Sequence, residues 1–152
     1  TNIMPVGPHR ATNHKPLTSN QKTENRKVVH RIWNMNFDHV NHSLMNGYYQ
    51  GWDLHPAQLP VRYAAVYNFF LKELDTASHR LKTFVEKAAR ATLIGDVFDD
   101  AATGQGLLNF FLQGIGCGAI TEEEATATGL SFEELRSRSF LKILRAHRKK
   151  ND

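Results

Sequence analysis

Apolar residues recur every three or four positions over long stretches of this chain, and nowhere do they alternate with polar ones for more than a few residues. The first spacing is that of an amphipathic helix and the second would mark a strand, so the pattern predicts an all-α chain. From Asn20 to Asn46, the residues Val29, Ile32, Trp33, Phe37, Val40 and Leu44 form one face. Thr18 or Ser19 is placed to cap that helix and Gly47 to end it. The following GYYQGWDLHPAQLP, with two glycines and two prolines, predicts a loop carrying exposed aromatics. A second, longer helix starts at Pro60, a residue suited to a first helical turn, and runs through Tyr63, Val66, Phe70, Leu74, Leu81, Phe84 and Ala88. Gly95 breaks it, and GDVFDDAATG supplies a turn and caps before LLNFFLQGIG, a short helix apolar nearly all round and therefore central in the core.

The C-terminal part is punctuated by two capping boxes, Thr121 with Glu124 and Ser131 with Glu134, in which a hydroxyl and a carboxylate satisfy opposing orphan amides. Leu130 and Leu135 stand at hydrophobic-staple positions, and Gly129 is free to take a left-handed turn. The last helix is expected to run from this glutamate-rich start to a basic end, an arrangement that suits its dipole. These elements add up to a helical bundle of four or five helices with an extended N-terminal arm. The expected organisation is an arm over 1–19, one helical domain over 20–148 and a basic tail over 149–152.

A length of 152 residues, 41% hydrophobic and 22% charged, is enough for one domain with a proper core. The formal charge of +4 understates a local asymmetry. Arg136 to Asp152 holds seven Lys/Arg against one acid, and the first twenty-three residues hold Arg10, Lys15 and Lys22 against none. Such ends offer cations to an anionic partner. The single cysteine, Cys117, leaves no internal disulfide framework and fits a reducing compartment, a virion interior or a secreted fold without disulfides equally. The opening TNIMPVGPHRATNHKP has no apolar run of signal-peptide kind, so a virion or cytoplasmic location is expected. The uncharged stretch from Thr103 to Thr121 holds five glycines, and its apolar part falls short of the roughly 20 residues that span a bilayer, so no membrane role is expected.

Catalytic chemistry has little to stand on. His39 and His42 share a helical face, with Asp38, Asp53 and His55 near in sequence, but no motif supplies a third and fourth ligand, and no metal or other cofactor is expected. Cys117 has no neighbouring histidine to activate it. The glycines of TGQG and GIGCG lack a phosphate-loop lysine, and Asp99 with Asp100 reads as a helix cap. No catalytic residue is assigned and the chain is expected not to be an enzyme. Nucleic-acid binding has better support. Arg80, Lys82, Lys87 and Arg90 on the long helix, and Arg145, Arg148, Lys149 and Lys150 at the end, are candidate phosphate contacts, which give affinity without sequence readout. Tyr48, Tyr49 and Trp52 are placed either to stack on bases or to pack on neighbouring subunits.

In order, RKVVHRIW at 26–33, LPVRYAAVYNFFLKEL at 59–74, VFDDAA at 97–102 and SFEEL at 131–135 resemble the coat proteins of rod-shaped plant viruses of the tobamovirus and tobravirus kind. The resemblance implies a helical-bundle subunit that assembles around RNA. That family places arginines just before its Asp-Asp pair, where this chain has Asp96, Val97 and Phe98, so only Asp99 and Asp100 carry over. The expectation is a non-enzymatic structural subunit that forms homo-oligomers and packages nucleic acid. The alternative is a small helical adaptor or inhibitor, for example phage-encoded, that grips a protein through Glu122–Glu124 or the basic tail.

Overall fold

The computed structural model describes residues 6–49, 51–90 and 101–151, with the side chains of Arg90, Arg148, Lys150 and Asn151 excepted. The chain is an all-α helical bundle, as the periodicity predicts. Among the described residues there are six helices: α1 (Ser19–Met45), α2 (Leu59–Arg90), α3 (Ala101–Gly116), α4 (Glu122–Ala125), α5 (Phe132–Arg136) and α6 (Phe140–Asn151). The turn expected around Gly95, together with Asp99 and Asp100, lies outside the described residues. Contacts group the chain into two compact units, Thr1–Phe69 and Phe70–Asp152, with the boundary inside α2.

In the first unit Thr18 caps α1. Its hydroxyl accepts from the Gln21 amide at 3.3 Å while the Gln21 side chain accepts from the Thr18 amide at 3.0 Å. The helix ends where Gly47 adopts φ +81°, a left-handed conformation natural to glycine. Val40 and Leu44 of α1 bury against Ala65 of α2, with Phe37, Val66 and Phe69 packed around them. Part of the arm folds back on α1. The His9 amide donates to Asn25 Oδ1 at 3.0 Å, Asn25 Nδ2 donates to the His9 carbonyl at 2.9 Å, and the His9 ring meets Glu24.

The loop before α2 is organised from inside by Gln58, a buried residue whose Oε1 accepts from the amides of Leu54 and His55 at 2.9 and 3.2 Å. His55 caps the short 3₁₀ turn Pro56–Gln58, accepting through Nδ1 from the Ala57 amide. Asp53 accepts from Arg62 Nε at 2.5 Å, tying the loop to the first turn of α2.

The second unit packs Phe70, Leu81, Val85 and Ala88 of α2 with Leu108 and Phe111 of α3 and Phe140, Ile143 and Leu144 of α6. Rings mesh at Phe70–Phe110 and Phe84–Phe140, with centroids 5.0 and 5.5 Å apart. Here α3 is longer than its apolar run, since TGQG belongs to the helix rather than to a turn. The tertiary reason is Gly104: a Cβ there would lie 2.5 Å from the Phe140 ring, so the glycine lets α6 approach. Both capping boxes form as the sequence predicts, and Leu130 and Leu135 are buried.

The expected single last helix is two. α5 stops at Arg136, Arg138 takes φ +53°, and α6 starts afresh at Phe140. Gln105 of α3 holds the break, accepting from the Phe140 amide at 3.0 Å and donating to the Arg138 carbonyl at 3.3 Å. The glutamates therefore complement the dipole of α5, and the first turn of α6 has no acid. Residues 149–151, expected as a tail, continue α6.

Candidate nucleic-acid interface

In α6 the buried apolar residues and the described cations lie on opposite sides, and Leu141 is an exposed apolar residue beside the cations. Phe140, Ile143 and Leu144 are buried, while Lys142, Arg145 and Lys149 are exposed. At 3.6 residues per turn the three cations fall within about 60° of each other, opposite Phe140. An amphipathic helix built this way spends its apolar side on the core and leaves a basic stripe in solvent. Lys142 borders a shallow recess that also holds Glu133 and Glu134, so its charge is partly offset. Glu134 is itself within 3.0 Å of His147 Nε2. Arg148 and Lys150 lie on the same helix, with side chains outside the described set.

On α2, Arg80, Lys82 and Lys87 are all exposed, but they do not act as one surface. Arg80 and Lys87, seven residues apart, lie about 20° from each other around the helix, whereas Lys82 is displaced by about 160°. The Lys82 stem passes Gly129, within 3.7 Å of where a Cβ would stand. Arg90 ends the helix, its side chain again outside the described set.

A third set includes Lys22, already counted among the N-terminal bases, with three cations not singled out as phosphate contacts from the sequence. Lys22, Arg26, Lys27 and Arg31 are exposed along the first half of α1, and the one acid among them, Glu24, is engaged by His9. Their i, i+4 and i, i+5 spacing was the available signal, hidden because the same helix reads first as a core helix.

The aromatics of the 46–58 loop flank a cavity of about 150 Å³ in the first unit, bordered by Asn36 and Ser43 of α1, Tyr48, Tyr49 and Trp52 of the loop, and Arg62 of α2. Trp52 is 82% exposed and Tyr48 70%. Tyr49 meets the Phe69 ring edge-on, and burial raises its phenol pKa above the usual value, so it stays neutral at physiological pH. Asn36 is 9% exposed and its Nδ2 has no hydrogen-bond partner.

Among the residues weighed for other chemistry, His39 and His42 are exposed on α1, and His39 borders that cavity. Asp53 and His55, the neighbours in sequence of His39 and His42, serve the loop's own bonds. Cys117 is exposed in the turn after α3, its thiol donating to the Gly114 carbonyl at 3.3 Å.

The model of a family described as a domain of unknown function (DUF6986) matches residues 1–143. The chain belongs to that family. The matched span takes in the aromatic loop, the α1 cations and Lys142, while Arg145 and Lys149 follow it. No curated protein and no solved structure matches this DUF6986 chain.

Proposed function

We propose that this chain is a non-enzymatic structural subunit that self-assembles and binds nucleic acid through the phosphate backbone, in a virion or in the cytoplasm. The observation that carries the reading is the stripe of Lys142, Arg145 and Lys149 on the side of α6 opposite its buried residues. A row of cations at helical spacing tracks a chain of phosphates without reading bases. The exposed cations of α1 and the pair Arg80 and Lys87 add to it. Self-assembly is supported by large apolar side chains left in solvent, among them Met45, Leu54, Tyr63 and Leu141.

The test is fluorescence anisotropy with a labelled single strand across a salt series. Binding weakens with salt because each neutralised phosphate releases counterion, by about 0.7 in the log–log slope per contact. Changing Lys142, Arg145 and Lys149 together to Gln flattens that slope by roughly 2, with helicity unchanged. Binding that ignores both salt and the triple substitution overturns the reading.

A second reading, a helical adaptor or inhibitor that grips another protein, is favoured by the same exposed apolar residues around 45–63. It predicts a stoichiometric complex of two different chains and no polymer. Its acidic grip is narrowed by the structure's own bonds, since Glu124 caps α4 and Glu122 lies 4.0 Å from Arg136.

A further inference from the structure

The cavity beside the 46–58 loop has the size and the mixed lining of a ligand pocket. About 150 Å³ is the volume of a cavity that takes benzene, one six-membered ring. It is smaller than the roughly 300 Å³ at which drug-sized sites begin. Its walls provide aromatic faces from Tyr48, Tyr49 and Trp52, and polar groups from Asn36, Ser43 and Arg62.

Two of those polar groups have unused capacity. Asn36 sits in the middle of a long helix, nearly fully buried, with an amide nitrogen that bonds to nothing. Such a group costs about 1–3 kcal/mol when unsatisfied. Within the protein that amide has no partner, and it borders the cavity, so whatever occupies the cavity, a ligand or water, is what completes it. Arg62 is fixed through Nε by Asp53, which leaves its Nη1 and Nη2 donors for another acceptor. Gly51 lies against that guanidinium so closely that any side chain at 51 would collide with Nη1.

Asp53 also neutralises the charge of Arg62. With that charge offset, and with His39 also on the pocket's border, the donors of Asn36 and Arg62 suit a neutral carbonyl acceptor better than a free anion. A flat single ring with carbonyl acceptors on its edge and a π-face for stacking is a pyrimidine base. We propose that this pocket receives one pyrimidine base of a single-stranded nucleic acid, stacked on Trp52 or Tyr48 with its edge toward Asn36 and Arg62. The proposal rests on the nucleic-acid reading above and adds a base contact to the phosphate contacts of the stripes.

The experiment uses the full chain carrying Trp33→Phe, so that Trp52 is the sole indole emitter. Three probes are titrated: an oligothymidylate of about twelve nucleotides, an abasic strand of the same length, and thymidine. The expected result is Trp52 quenching by the oligothymidylate and at least about fivefold tighter binding than the abasic strand. Asn36→Leu, similar in volume, abolishes that preference and leaves abasic binding unchanged. Gly51→Ala, which displaces the Arg62 guanidinium, does the same by a second route should Asn36→Leu unfold. Equal binding of the two strands without quenching overturns the pocket while the phosphate reading stands. If neither strand binds, the phosphate reading falls; thymidine quenching then assigns the pocket to a free nucleoside, and its absence overturns the pocket as well.

Discussion

Single atoms decide several properties of this chain, and α3 shows it with two glycines two residues apart. At Gly104 a new Cβ would meet three Phe140 ring carbons at 2.5–2.6 Å, and that ring is buried and packed against Phe84. Gly104→Ala therefore overpacks the core, a cost of about 1–3 kcal/mol that outweighs the roughly 1 kcal/mol Ala gains over Gly in a helix. At Gly106 nothing lies within 4 Å of a new Cβ. Gly106→Ala is expected to stabilise by about 0.5–1 kcal/mol, so the two denaturation midpoints should move in opposite directions. Equal shifts would mean that Phe140 is not seated against Gly104. Trp33 is another such case: its buried Nε1 has no partner, so Trp33→Phe removes an unsatisfied donor and should leave stability within about 1 kcal/mol of the parent.

Among the elements, the break between α5 and α6 matters most for the interface, because it sets which way the α6 cations face. A long-range bond supports the break, beside the local bonds of Ser137 and Arg138 to the end of α5. Gln105 supplies the acceptor that the first turn of α6 lacks, thirty-five residues away in sequence. Gln105→Ala strands the Phe140 amide and is expected to cost about 1–2 kcal/mol. Gln105→Glu keeps an acceptor for that amide and loses the donor to Arg138, so it should fall between Ala and the parent. Urea denaturation of the three proteins checks that order, and an Ala variant as stable as the parent would remove Gln105 as a cap. The Thr18 box at the start of α1 is local by contrast, and its hydroxyl and amide partners sit three residues apart.

At the scale of the whole molecule, the proposed subunit should form large particles. Size-exclusion chromatography with light scattering, recording the 260/280 nm absorbance ratio, is expected to give a large nuclease-sensitive species at low salt that dissociates at high salt. A nucleic-acid-free monomer or dimer at both salts would favour the adaptor reading. The cations of the proposed interface are legible unevenly in the sequence. Arg145 and Lys149 stand out in the sequence because acids are scarce around them, and the structure leaves them exposed. Lys82 is equally visible as a charge, and the helical spacing that sets it apart from Arg80 and Lys87 is legible in the sequence as well. On α1 only Lys22 stands out, in the acid-free N-terminal stretch, while Arg26, Lys27 and Arg31 share a helix whose dominant pattern is its core face.

What the sequence determined by itself is everything that depends on neighbours within a turn or two. The helical period, the end at Gly47, the Thr121 and Ser131 boxes and the left-handed Gly129 are local, since hydrogen bonds and φ preferences act over three or four residues. Only the tertiary structure decided that TGQG is helix, that the last helix is two, and that the arm lies along α1 at His9. In each case a distant side chain supplied a missing partner: Phe140 fills the space a Cβ would need at Gly104, Gln105 caps α6, and Asn25 with Glu24 holds the arm. The cavity belongs to the same class, because Asn36 and Arg62 are twenty-six residues apart and face a common space only once α1, the loop and α2 have packed.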